Sequence, residues 1–129
     1  LTVKPWTPDL ARAFIPSVEA NPWGPLENLL DVLGGAFLFE FVQGGAHALA
    51  AARPVACAHG RRLDVVGLVS TGERLTAEHV RGLSLAMAAR LECDMLAMTT
   101  MRPHLARTCV RAGWAETGHL LTMDARALQ

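Results

Sequence analysis

The chain has 129 residues, with 12 Lys+Arg against 12 Asp+Glu and no net charge. It therefore exerts no general electrostatic pull on phosphate polymers, which disfavours nucleic-acid binding, and its length fits one domain over residues 1–129. It is 51% hydrophobic before its 11 glycines are counted, where ordinary soluble domains reach about 45–50% with glycine included, so the composition points to a homo-oligomer or other protein subunits that cover surplus apolar surface.

Thr2 to Trp6 reads as a first strand. Thr7-Pro8-Asp9 signals a helix start, with Thr as N-cap, Pro in the first turn and an acid beside it; the helix runs through Leu10, Phe14 and Ile15 and stops near Pro16. Asn21-Pro22-Trp23-Gly24-Pro25 is a loop by composition. Leu26, Leu29, Leu30 and Leu33 recur at helical spacing, and Gly34-Gly35 ends that second helix. Phe37 to Val42 is a strand followed by a Gly44-Gly45 turn. Ala46 to Ala58 reads as one or two short strands, because Arg53-Pro54 interrupts an alanine run that would otherwise suit a helix. After His59-Gly60-Arg61-Arg62, Leu63 to Ser70 forms a buried strand.

The second half alternates. Thr76 caps a helix whose apolar face is Val80, Leu83, Met87 and Leu91. Cys93 to Thr100 is an apolar strand, and Pro103 opens a helix with Leu105, Ala106, Cys109 and Val110 inward. Gly113 closes it, and Gly118 to Met123 is a last strand. The expected class is α+β, a three-layer arrangement with a mixed central sheet and helices on both faces.

Residues 63–124 resemble the GNAT N-acetyltransferase fold in order and spacing. The resemblance is carried by the late helix Ala106 to Val110, which ends in Gly113-Trp114, and by the turn Glu116-Thr117-Gly118-His119 into a closing strand. It implies a pyrophosphate cradle for acetyl-CoA in the segment Ser70 to Glu78, and the binding positions it implies are Val69, just before that segment, with Thr71, Gly72 and Arg74. Physically such a cradle needs small residues that let backbone N–H groups and a helix N-terminus approach phosphates. Here one glycine stands among Glu73 and Glu78; Glu78 favours a helix start and repels a phosphate.

The resemblance also implies an acid for the departing thiolate, commonly a tyrosine four residues before the late glycine. That position is Cys109, and the chain has no tyrosine. Cys109 is most simply a small inward-facing hydrophobe. Glu40 and Asp64 are the carboxylates available as a base. Glu40 lies on the opposite sheet face from Phe39 and Phe41, and Asp64 has Arg61-Arg62 as surface ion partners. No catalytic residue is assigned.

No other constellation carries chemistry. Cys57-Ala58-His59 is the one close Cys/His pair, which falls short of a zinc site, so no metal is expected. Arg102, Arg107 and Arg111 share the exposed side of the late helix, and Trp6, Trp23 and Trp114 are anchors, with Trp23 a candidate surface contact. Three scattered cysteines give no disulfide framework and suit a reducing compartment. No apolar run reaches the roughly 18 residues of a membrane span. With no charged-then-apolar leader, a cytoplasmic or virion-associated location is expected, not secretion.

Two readings follow. One is a GNAT-like domain without catalysis or cofactor, used in assembly and similar to acetyltransferase-like proteins of tailed phages. The other is an acetyl-CoA-dependent N-acetyltransferase with an atypical loop, in which proximity supplies most of the rate. A CoA-binding sensor without turnover lies between them.

Overall fold

The computed structural model describes residues 1–22, 26–123 and 125–128. Its elements are β1 (Thr2–Lys4), α1 (Pro8–Arg12), α2 (Ile15–Glu19), α3 (Leu29–Leu33), β2 (Phe37–Gln43), β3 (Ala46–Cys57), β4 (Gly60–Ser70), α4 (Ala77–Arg90), β5 (Met95–Ala97) and α5 (Pro103–Arg111), with a 3₁₀ turn over Ala125–Leu128. The sheet order is β1-β2-β3-β4-β5; the first three pairings are antiparallel and β4–β5 is parallel. This is the expected mixed α+β sheet with helices on both faces.

The two faces follow from strand periodicity. Phe39 and Phe41 of β2, Ala48, Ala50 and Ala52 of β3, and Leu63 and Val65 of β4 pack with Leu83 and Met87 of α4. Leu38, Leu49 and Ala51 point the other way, onto Phe14 and Leu33, with Trp6 and Leu10 alongside. The Trp6 indole N–H donates to the Ala36 carbonyl at 2.9 Å, and its ring meets Phe14 edge-on.

One irregularity resets this alternation. Ala51 faces Gly67 while Ala52 faces Val65, so Val66 is an extra residue in β4. Beyond this bulge the parity reverses: Leu68 joins Val65 on the α4 face, and Gly67 lies under the Phe14 ring.

Several boundaries differ from the sequence reading. The first helix is two: α1 ends at Arg12, and Pro16 sits in the first turn of α2, where a missing N–H costs no helical bond. The second predicted helix begins at Leu29, because the Asn28 side chain accepts from the Asp31 N–H and caps it there. Ala46–Cys57 is one continuous strand, since β2 and β4 hold its alanines between them and override their helix propensity. The predicted strand Cys93–Thr100 contracts to Met95–Ala97, and the predicted strand Gly118–Met123 forms no ladder among the described residues. Val110 is exposed, where the periodicity of α5 predicted it inward. Trp23, Gly24 and Pro25 lie outside the described residues, so the contact role of Trp23 has no structural counterpart here.

Candidate functional site

The sheet opens between β4 and β5. Arg62–Asp64 pair with Met95–Ala97, and beyond that point β4 runs on to Ser70 while residues 98–101 leave the ladder. The bulge at Val66 falls at this parting. A cleft of about 530 Å³ adjoins it on the α1–α3 side, walled by Asp31, Arg53, Arg62, Asp64, Val66 and Met98. Its charges are largely committed. The Arg62 Nε–H donates to Asp64 at 2.6 Å, which raises the Arg62 pKa further through that hydrogen bond and the carboxylate charge. Arg53 donates to the Gly34 and Val32 carbonyls at 2.8 and 2.6 Å, tying α3 to the sheet. Asp64 is thus the ion-pair partner that the sequence suggested.

The wedge itself is filled from within. The Leu68 N–H is received by the Ser17 hydroxyl of α2 at 3.3 Å, and the Leu68 carbonyl accepts from the Arg102 guanidinium at 3.3 Å. Both backbone groups of Leu68 are therefore occupied by side chains. Arg102 departs from the exposed arginine face predicted for the late helix. It turns inward, and its Nε–H is buried with no acceptor among the described residues. Burial lowers its pKa, with the Cys109 side chain opposing the shift.

The predicted cradle residues lie at the end of β4 and along the exposed loop that follows it, and two of the loop's amides are bonded within the protein. Val69 pairs with Leu49 and packs beside the Phe14 cluster. The Thr71 N–H donates to the His47 carbonyl at 2.8 Å and the Glu73 N–H to the Gly45 carbonyl at 3.0 Å. Gly72 lies so close to the Gly45 carbonyl that a Cβ there would approach to 2.6 Å. Arg74 contacts the His104 Nε2. The His104 pKa is lowered first by desolvation and then by the charges of Arg74, Arg107 and Arg111. At the start of α4, Thr76 and His79 form a reciprocal capping box, with Glu78 in the first turn.

Cys109 is buried with Val80 and Ala112, as its helical position predicted. Burial pushes its thiol pKa up, which makes it a poorer proton donor. Glu40 does stand on the face opposite Phe39 and Phe41, and there the structure adds partners that sequence reasoning missed. Its carboxylate meets the His47 Nε2 at 2.9 Å and the Lys4 ammonium at 3.6 Å, and the His47 Nδ1 contacts the Thr71 hydroxyl. The Glu40 pKa is lowered chiefly by the His47 hydrogen bond. A signal was available: the two-residue Gly44-Gly45 turn sets His47 diagonal to Glu40 on one face. Carboxylate, imidazole and hydroxyl in a row suit proton relay, but the Thr71 and Glu73 amides that could steady an oxyanion are already bonded. The row fastens the β2–β3 hairpin to the exit of β4. Among the described residues, no group of three or more His, Cys, Asp and Glu could hold a metal, and no helix is long and apolar enough to cross a membrane.

The fold has solved counterparts. Crystal structures of TTHA1254 from Thermus thermophilus, a point mutant and the wild type, are similar to it with TM-scores of 0.53 and 0.51. Each is 18% identical, over 97% of this chain and 97% of that one, a likeness of fold alone. No family model and no curated protein matches the chain.

Proposed function

We propose that the chain is a GNAT-like protein that has lost acetyl-transfer chemistry and serves as a structural or assembly component. The observation that carries this reading is the loop after β4, whose Thr71 and Glu73 amides point inward to the β2–β3 hairpin. A pyrophosphate bound there would have to break both bonds and sit beside Glu73 and Glu78. Arg102 adds to it, because an extended, amide-bearing arm such as that of CoA would have to displace the guanidinium to reach Leu68. The assembly is a homo-oligomer or a complex with other protein subunits. Its resemblance to tailed-phage acetyltransferase-like proteins makes a virion or accessory complex the setting, with a cytoplasmic or virion-associated location.

The test is transfer of a labelled acetyl group from acetyl-CoA to a panel of primary amines, read by mass, on protein shown folded by circular dichroism. The reading expects no transfer above the uncatalysed rate; turnover with any amine would overturn it.

A second reading, an acetyl-CoA-dependent N-acetyltransferase, draws on the cleft of about 530 Å³ where β4 and β5 part. Asp64 on its wall would serve an incoming amine, and proximity would supply the rate. Turnover that falls on Asp64→Asn would favour it.

A further inference from the structure

We infer that the cleft where β4 and β5 part binds a small aliphatic amino-carboxylate, its carboxylate turned inward to Arg102 and its ammonium held at Glu27 and Asp31. This goes beyond the assembly reading above and needs no acetyl transfer. At the inner end of the cleft lies a recess of about 10 Å³, which shares Asn21, Val66, Met98 and Thr99 with the cleft wall. That volume admits about one oxygen-sized atom. The polar lining of the recess is Ser17, Asn21, Thr99, Thr100 and Arg102, with no carboxylate among the described residues.

Arg102 sets the sign of the charge that fits there. Its guanidinium donates to the Leu68 carbonyl at 3.3 Å, while its Nε–H is buried with no acceptor among the described residues. It gives α5 no side-chain cap, so the start of that helix does not account for it. A buried charged donor left unpaired is costly. A water in the recess would satisfy the N–H and leave the charge uncompensated, whereas a carboxylate oxygen does both. Ser17 supplies a second donor, because its oxygen receives the Leu68 N–H and its own O–H remains to donate.

The rest of the cleft has the opposite character. Glu27 and Asp31 line the cleft but not the recess, and neither forms an ion pair among the described residues. The neighbouring arginines are spent elsewhere, Arg62 on Asp64 and Arg53 on the Gly34 and Val32 carbonyls. Val32, Val65, Val66, Ala97 and Met98 make the remaining wall apolar. A cation at the inner end, an apolar wall and free carboxylates beyond it match a ligand built of carboxylate, aliphatic spacer and ammonium. The cleft, at about 530 Å³, has the size of small-molecule sites, which run about 300–1,000 Å³.

The experiment is isothermal titration of the 129-residue chain at neutral pH with γ-aminobutyrate and ε-aminocaproate, and with butyrate, caproate and n-hexylamine as probes that lack one end. The expected result is saturable 1:1 binding of an amino-carboxylate, severalfold tighter than the matching plain carboxylate, with no heat from the amine. Arg102→Met keeps the apolar stem and weakens binding at least about tenfold, the loss expected for a charge-assisted bond. Glu27→Gln combined with Asp31→Asn, which breaks no ion pair among the described residues, abolishes the preference for the amino-carboxylate. Both variants are compared with the parent by circular dichroism. Silence with every probe overturns the inference and leaves a water as the partner of the Nε–H. Binding indifferent to Arg102→Met, or to the amine of the ligand, overturns it as well. Transfer of a labelled acetyl group to the same amino-carboxylates is a separate readout: transfer with binding defeats the loss of chemistry and leaves the site standing, and silence without transfer does the reverse.

Discussion

Replacing Arg102 by methionine tests whether the guanidinium is a wedge filler or a structural tie. Its acceptor among the described residues is the Leu68 carbonyl, at a long 3.3 Å, and its Nε–H is buried without a partner there. Losing this bond from a charged donor costs about 1.5–3 kcal/mol, and removing the orphaned donor returns about 1–3 kcal/mol. The methionine retains most of the apolar stem that fills the wedge, and a large cleft lies close by to admit water to the freed carbonyl. The lowered pKa of Arg102 agrees in sign: burial disfavours its charged form, so the charge does not stabilise the fold near neutrality. The expected outcome in urea unfolding is a stability within about 1 kcal/mol of the parent, or slightly higher, at unchanged m value. A loss above about 3 kcal/mol with m unchanged would refute this reasoning, because it would require Arg102 to be a fully paired buried charge.

Gly67→Ala should destabilise by about 1–3 kcal/mol in the same assay, since its Cβ would come within 2.6 Å of the buried Phe14 ring. Thr76→Ala should cost about 1 kcal/mol by thermal unfolding, because it removes the side chain that accepts the His79 N–H at the start of α4. Glu40, whose folded pKa lies below its unfolded 4.5, adds stability that is present above that value and is lost as pH falls through the folded pKa. Unfolding measured from pH 6 downward should therefore show a decline starting near 4.5 that Glu40→Gln flattens, while at neutral pH the half-buried, solvent-screened pair contributes at most about 1 kcal/mol.

The α4 packing stripe was legible because helical periodicity and burial coincide at Val80, Leu83 and Met87. So was the β2–β3 hairpin, because Gly44, at φ +59°, adopts the left-handed backbone a tight turn uses. The β4 bulge was not legible. Nothing in Leu63-Asp64-Val65-Val66-Gly67-Leu68 announces an extra residue, and only the Phe14 ring above Gly67 and the return of Leu68 to the α4 face explain it. Arg102 was misread for a related reason: helical spacing placed it with Arg107 and Arg111, yet it precedes the first helical turn and its backbone is extended. The carboxylates that stand against a phosphate there, Glu73 and Glu78, were visible in the sequence. That the amides of Thr71 and Glu73 are spent on the hairpin is a tertiary fact which depends on Gly45 lacking a side chain where the Glu73 carboxyl lies.

On the proposed reading, the protein spends the Thr71 and Glu73 amides on its own hairpin and leaves no cradle for a pyrophosphate. Isothermal titration of the chain with acetyl-CoA at low salt, where phosphate contacts are strongest, tests it most directly. The expected result is no heat and no thermal stabilisation at millimolar ligand. Tight 1:1 binding, weakened by Arg74→Ala, would contradict it and make the loop after β4 a working phosphate cradle.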